Sequence, residues 1–239
     1  MEPVYNRVLI KISGEALAAE KHTGFDFDFV SRVCEAVKAC TEMGAQVGIV
    51  IGGGNFWRGV KDGAGKVERV SADRMGMLAT AMNCLAVADV FRQAGCDARV
   101  MTAVDIQGVG ERYDTRKAVE YLEAGKIVLF ACGTGSPFFS TDTAAVLRAL
   151  EIGADAILLA KNIDGVYSDD PRRNPEAVKF DAISYEEVLA RRLAVMDSTA
   201  TSMAMDNRIP VVVFALADPE NILRVLSGEK LGTTVGGKA

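Results

Sequence analysis

The sequence predicts an α/β protein, a three-layer α/β/α sandwich around a mainly parallel sheet. Three observations carry this. Residues 7–12, 47–51, 98–102, 126–132, 156–160 and 210–215 are predominantly apolar runs without strict alternation, which suits strands buried on both faces. Segments with helically spaced apolar residues separate them, so the strands must be joined by crossovers that put helices on both sides. Polar turns recur after the strands, and in a parallel sheet these gather on one edge, where ligands bind.

Composition agrees. The 239 residues fit one large domain, read here as 1–239, and 49% hydrophobic content supplies a core. A net charge of -5 with no basic run argues against a nucleic-acid binder. No apolar stretch approaches membrane-spanning length, and no secretion signal precedes the first strand, so no membrane partner is expected. Cys34, Cys40, Cys84, Cys96 and Cys132 are odd in number, lack a C-x-x-C and sit in apolar elements, as buried free thiols in a reducing cytoplasm do. The single histidine, His22, excludes His-rich metal sites and has no catalytic role assigned.

Taken in order, residues 7–12 form the first strand. Lys11 near its end is either an anion-binding lysine or one that snorkels from an edge strand. Ser13–Leu17 reads as a turn, and 18–28 as a polar connection. Phe29, Val30, Val33, Ala36, Val37 and Cys40 give 27–43 helical spacing, and Gly44 ends it. Strand 47–51 runs into Gly52-Gly53-Gly54-Asn55-Phe56-Trp57-Arg58-Gly59, where three glycines admit a close approach and Arg58 suits a phosphate. Residues 60–70 read as a glycine-rich loop. Ser71 is a candidate cap for a long helix with Met75, Leu78, Met82, Leu85 and Ala86 on one face, as core or subunit contact. Asp73 falls in its first turn, as a favourable helix charge or a group that accepts from sugar hydroxyls. Gly95 closes it.

Strand 98–102 and a glycine-containing excursion follow, then a helix over 114–124 ending at Gly125. Strand 126–132 leads into Gly133–Asp142 and an alanine- and leucine-rich helix. That loop offers backbone N–H groups, the hydroxyls of Thr134, Ser136, Ser140 and Thr141, and a helix N-terminus, all suited to an anion. Ser140, Thr141 and Asp142 are each candidate caps. Strand 156–160 ends in Lys161–Pro171, where Tyr167 is either a base-stacking ring or a loop anchor. Residues 172–182 are polar. Helices near 184–191 and 198–207, a strand at 210–215, a helix over 219–226 and a polar end complete the chain.

No G-x-x-x-x-G-K-[ST], G-x-S-x-G or first-turn G-x-G-x-x-G occurs. What remains is a set of phosphate grips with a lysine, an arginine and a carboxylate, which suits phosphoryl transfer.

Lys11–Leu17, Gly52–Gly59, Asp73–Thr80, Gly133–Thr143 and Asp164–Pro171 together resemble the bacterial uridylate (UMP) kinases of the amino acid kinase family. The motifs run in order and cover nearly the whole chain. The resemblance implies ATP and UMP as substrates, with Mg2+ held mainly through the ATP phosphates and no metal-ligating side chain assigned. It implies that Lys11, Ile12, Ser13, Gly14, Gly54, Arg58, Lys161, Asn162, Tyr167 and Asp170 bind ATP. Gly53, Asp73, Thr134, Gly135, Ser136, Pro137, Phe138, Phe139, Ser140 and Thr141 would bind UMP. Lys11, Arg58 and Asp142 would be catalytic, with Lys11 on the transferring phosphoryl and Asp142 orienting it. The UMP-binding part would span roughly 1–155 and the ATP-binding part roughly 156–239. The family forms homohexamers, and many members are activated by GTP and inhibited by UTP; the Ala19–Gly24 segment does not carry that regulation over. Ser140 stands where threonine is common, and Ala215 where asparagine is often found. Two competing readings are a kinase of this fold with a carboxylate or carbamate acceptor, and a non-catalytic nucleotide- or oxyanion-binding protein.

Overall fold

A computed structural model describes residues 2–58 and 65–236. Gly59 and residues 60–64 of the expected 60–70 loop lie outside the described residues, as do Met1 and the last residues of the polar end. The strands are β1 (Arg7–Ile12), β2 (Gln46–Ile51), β3 (Ala98–Thr102), β4 (Glu111–Arg112), β5 (Ile127–Ala131), β6 (Ala156–Lys161), β7 (Val166–Tyr167), β8 (Lys179–Phe180), β9 (Ala182–Ile183), β10 (Val211–Ala215) and β11 (Thr233–Val235). The helices are α1 (Gly14–Ala18), α2 (Phe27–Glu42), α3 (Arg69–Gln93), α4 (Thr115–Glu123), α5 (Thr141–Glu151), α6 (Tyr185–Ala190), α7 (Ser198–Asp206) and α8 (Asn221–Leu226).

Nine strands form one sheet in the order β4-β3-β5-β2-β1-β6-β10-β11-β9, and β7 pairs with β8 in a separate hairpin. Every pairing in the large sheet is parallel except β10 with β11. Alternate residues of a strand face opposite sides. Val8, Ile10 and Ile12 accordingly join a core with α2, α3 and α8, while Leu9 joins a second core with α4, α5, α6 and α7. The expected three layers are present.

Several local expectations need correction. Ser13–Leu17 is more than a turn: Gly14–Ala18 is a short helix entered from an extended Ser13. Ser71 does not cap α3, which starts from Glu68 without a side-chain cap and carries Ser71 inside its first turn. Asp73 therefore falls one turn deeper than expected. β8, β9 and β11 went unforeseen because each has only two or three residues, too few for a periodic signal. α3 also corrects the reading that no apolar stretch nears membrane-spanning length. Its 25 residues are long and apolar enough to cross a bilayer, by length and composition alone. Here it packs against α2, β3 and β5.

Candidate active site

Because the central strands are parallel, the carboxyl ends of β1, β2, β5 and β6 lie on one edge. Lys11 sits there, paired in register with Val50 and Leu159, and is only 8% exposed. A snorkelling edge lysine is thereby ruled out, since β1 is central. Its Nζ lies 2.5 Å from Asp142 Oδ1, a buried oxygen with no other hydrogen-bonding partner among the described residues. A buried charge requires such a partner, because removing either leaves the other uncompensated. Asp142 occupies the first turn of α5, and Ser140 supplies the cap, accepting from Asp142 N at 3.0 Å and Thr143 N at 3.1 Å.

Two glycine turns meet beneath this pair. A Cβ on Gly14 would lie 2.3 Å from the Gly52 carbonyl oxygen, so only glycine lets α1 approach the turn after β2. Two buried amides hold that turn. Asn83 of α3 donates to Gly52 O at 2.6 Å and exchanges bonds with Asn55 at 2.8 and 2.9 Å. Asn55 also donates to Gly24 O at 2.8 Å. Sequence reasoning missed Asn83, which lies in a helix read for its apolar residues.

A first cleft of about 690 Å³ opens on the β6 side. Of the residues the sequence assigns to ATP, it is lined by Lys11, Ser13, Lys161, Asn162, Tyr167 and Asp170. Tyr167 lines the cleft, and its hydroxyl donates to Asp164 Oδ1 at 2.8 Å, the contact of a loop anchor. Lys179 Nζ braces the other Asp164 oxygen at 3.1 Å. Burial lowers the Lys161 pKa; Asp142 opposes that shift and Lys11 adds to it. Its ammonium donates to the Val195 carbonyl. The 191–195 segment thus forms a wall of the cleft. No signal in the sequence marked it, because it is an irregular connection between α6 and α7.

A second, smaller cleft opens on the α3 side. Of the residues assigned to UMP, it is lined by Gly53, Asp73, Thr134, Ser136, Phe139, Ser140 and Thr141. Trp57, held by its Nε1–H donating to Ala72 O at 2.8 Å, is a lining residue the sequence did not single out. The loop above it needs unusual backbone: Cys132 and Phe138 have φ of 64° and 71°. Such conformations cost about 1–3 kcal/mol for non-glycine residues and cluster at functional sites. Gly135, Pro137 and Phe138 belong to the loop without lining the cleft. Ile12, Gly14, Gly54 and Arg58 line neither cleft among the described residues. Arg58 forms an ion pair with Glu15.

The Lys11–Asp142 pair stands between lining residues of the two clefts. Lys11 lines the first, and Ser140 and Thr141, next to Asp142, line the second. Asp197 ties this junction to α7. It caps α7 through Ala200 N at 2.9 Å and accepts from the hydroxyls of Thr143, at 3.2 Å, and Ser140. Its position before Ser198 was the available cap signal. Among the described residues, no three carboxylate, imidazole or thiol side chains converge as a metal site. The cysteines are unbonded, and burial pushes the Cys34 and Cys40 thiols up to about 12, away from nucleophilic chemistry.

The model of the amino acid kinase family matches residues 6–215. A curated uridylate kinase of Streptococcus thermophilus is 52% identical over 239 residues, spanning 100% of this chain and 98% of that protein. A UMP kinase structure from Bacillus anthracis superposes with a TM-score of 0.94 at 37% identity, covering 98% of this chain and 97% of that one. A UMP kinase structure from Ureaplasma parvum gives 0.91 at 34%, covering 96% and 98%.

Proposed function

This chain belongs to the amino acid kinase family, and from that premise we propose that it transfers the γ-phosphoryl group of ATP to UMP. The products are ADP and UDP, a step of pyrimidine nucleotide biosynthesis. The observation that carries the reading is the Lys11–Asp142 pair, with Lys11 lining the first cleft and Asp142 next to Ser140 and Thr141 of the second. Phosphoryl transfer needs two nucleotides held in line and a fixed positive charge where the phosphoryl passes.

ATP occupies the first cleft, with Tyr167 beside the adenine and Lys161, Asn162 and Asp170 along the donor. Ser13 and Gly14 offer the turn after β1 to its phosphates. UMP occupies the second, with Asp73 at the ribose and the 134–141 loop at the base. An oxygen of the UMP phosphate attacks the γ-phosphorus, and the bond to the bridging oxygen of ADP breaks. UMP phosphate is largely dianionic at neutral pH, so no side chain need act as base. Lys11 stabilises charge on the transferring group without reorganising, and Asp142 holds it in place. Magnesium, if carried on the ATP phosphates, would supply charge neutralisation there. Arg58 adds a phosphate contact once the nucleotides are bound. In this reading the acceptor part spans roughly 1–155 and the donor part 156–239. The enzyme works as a cytoplasmic homohexamer, with GTP and UTP as the effectors to examine.

The test is an ADP-release assay with ATP and magnesium across UMP, CMP, AMP, GMP, aspartate, glutamate and carbamate. UMP should be used and the others poorly. Uracil and cytosine exchange a donor and an acceptor on the base edge, and each buried group left unpaired costs about 1–3 kcal/mol. Two mismatches reach roughly 10⁴-fold discrimination. Comparable kcat/KM for CMP would sink the base-reading argument. Turnover only with a carboxylate or carbamate would move the assignment to another acceptor class.

A further inference from the structure

Arg69 lines neither cleft, yet it closes a three-part clasp over the second one. Its Nε donates to both oxygens of Asp73, at 2.9 and 2.8 Å. The backbone N–H of Phe138 donates to Asp73 Oδ2 at 2.8 Å. The Arg69 guanidinium carbon lies 5.2 Å from the centroid of the Phe138 ring, within cation–π range. Helix α3 and the tip of the 133–142 loop are thus joined through one carboxylate and one cation.

The loop tip needs such a tether. Phe138 is a bulky residue at a φ of 71°, and it is 64% exposed, so no core burial fixes it there. A conformation of that kind persists only where surrounding contacts over-determine it. Among the described residues, the Asp73 bond and the Arg69 contact are the polar ones at Phe138. Asp73 itself keeps acceptor capacity, because a carboxylate offers about four lone-pair sites. The clasp therefore orients Asp73 without using it up.

We propose that Arg69 is a positioning residue of the acceptor site. It fixes the Asp73 carboxylate for the acceptor's sugar hydroxyls, and it pins Phe138 so that the loop meets the base in one conformation. This rests on reading the second cleft as the UMP site.

The experiment compares wild type with Arg69→Gln, Arg69→Lys and Phe138→Leu. It measures kcat, both KM values, thermal stability and the ratio of kcat/KM for UMP over 2′-deoxy-UMP. Arg69→Gln should raise KM for UMP on the order of tenfold while KM for ATP stays within about twofold, the pattern of lost binding to one substrate. The UMP to 2′-deoxy-UMP ratio should fall, because a misoriented Asp73 no longer rewards the 2′-hydroxyl. Arg69→Lys should recover part of the loss, since it keeps the charge but not the planar guanidinium. Phe138→Leu should raise KM for UMP less and leave that ratio near wild type. An unchanged KM for UMP and an unchanged ratio in Arg69→Gln would overturn the inference. So would equal rises in both KM values with a lower melting temperature, which would mark Arg69 as structural. Failure of the wild-type enzyme to use UMP at all would instead overturn the reading of the cleft.

Discussion

Lys11 is the residue on which the chemistry turns, and its setting makes it testable. It is a cation in a central buried strand, neutralised by Asp142 at 2.5 Å. Lys11→Ala should lower kcat on the order of 10²–10³-fold, the range for loss of one preorganised electrostatic donor. Asp142→Asn should slow the same step, and the two losses should not add. Stability should follow a different rule. Asp142→Asn strands a buried ammonium, and breaking a buried pair this way costs about 3–5 kcal/mol. Lys11→Met with Asp142→Asn should therefore melt no lower than Asp142→Asn alone. Near-wild-type activity in either single variant would remove the proposed role. Each partner was legible separately, Lys11 as a lysine inside a strand and Asp142 as an acid near a helix start. Their pairing came only from the family resemblance, because it is the β1-β2 and β1-β6 registers and the α5 cap that bring them together, and local composition encodes neither. Tyr167 was legible as two alternatives, and its hydroxyl bond to Asp164 shows the loop anchor.

Among the elements, the glycine turns show how one residue type serves opposite ends. Gly14 begins α1 against backbone, with Gly52 O 2.3 Å from the place a Cβ would occupy. Gly76 lies inside α3, and its nearest neighbour in that sense is Trp57 Cδ1 at 3.8 Å, an ordinary contact. The same substitution should then act with opposite signs. Gly14→Ala must displace backbone, at about 1–3 kcal/mol for overpacking. Gly76→Ala should gain about 1 kcal/mol of helix propensity, a rise of roughly 2–4 °C in melting temperature for a chain of this size. Thermal melts of both variants check this, and a destabilised Gly76→Ala would show that the helix cannot accept the extra methyl. The elements that the sequence disclosed were those with long signals, among them β2, β5 and β6 by their apolar runs, and α2 by its spacing and Gly44. The hidden ones drew on distant partners. β11 is defined by pairing with β10 and β9, and Thr233 is buried to receive the Val166 N–H at 2.8 Å, none of which local composition encodes. Asn83 was likewise invisible, because a polar residue in a helix looks solvated until its partner is placed.

For the molecule as a whole, α3 poses the remaining question. One face packs inward through Ala79, Cys84, Val87, Ala88 and Phe91. The face that the sequence picked out points the other way: Met75, Leu78, Met82 and Leu85 are 40%, 52%, 45% and 37% exposed. Four large apolar side chains in one stripe on a 25-residue helix are more than scattered surface apolarity. Burying each in a contact would gain roughly 1.5–3 kcal/mol at most. A second copy of the same helix supplies a matching stripe, and two copies related by a two-fold axis form an isologous contact that closes on itself. Such a contact alone gives a dimer. A hexamer then needs a further, three-fold contact elsewhere on the surface. The expectation is a stable oligomer by light scattering at micromolar concentration, with the mass of six chains. Leu78→Glu with Met82→Glu places two charges in the stripe and should break only the two-fold contact. The particle should then fall to half its mass and not to single chains. A wild-type monomer would refute the assembly, and an unchanged mass in the double variant would move the contact away from α3.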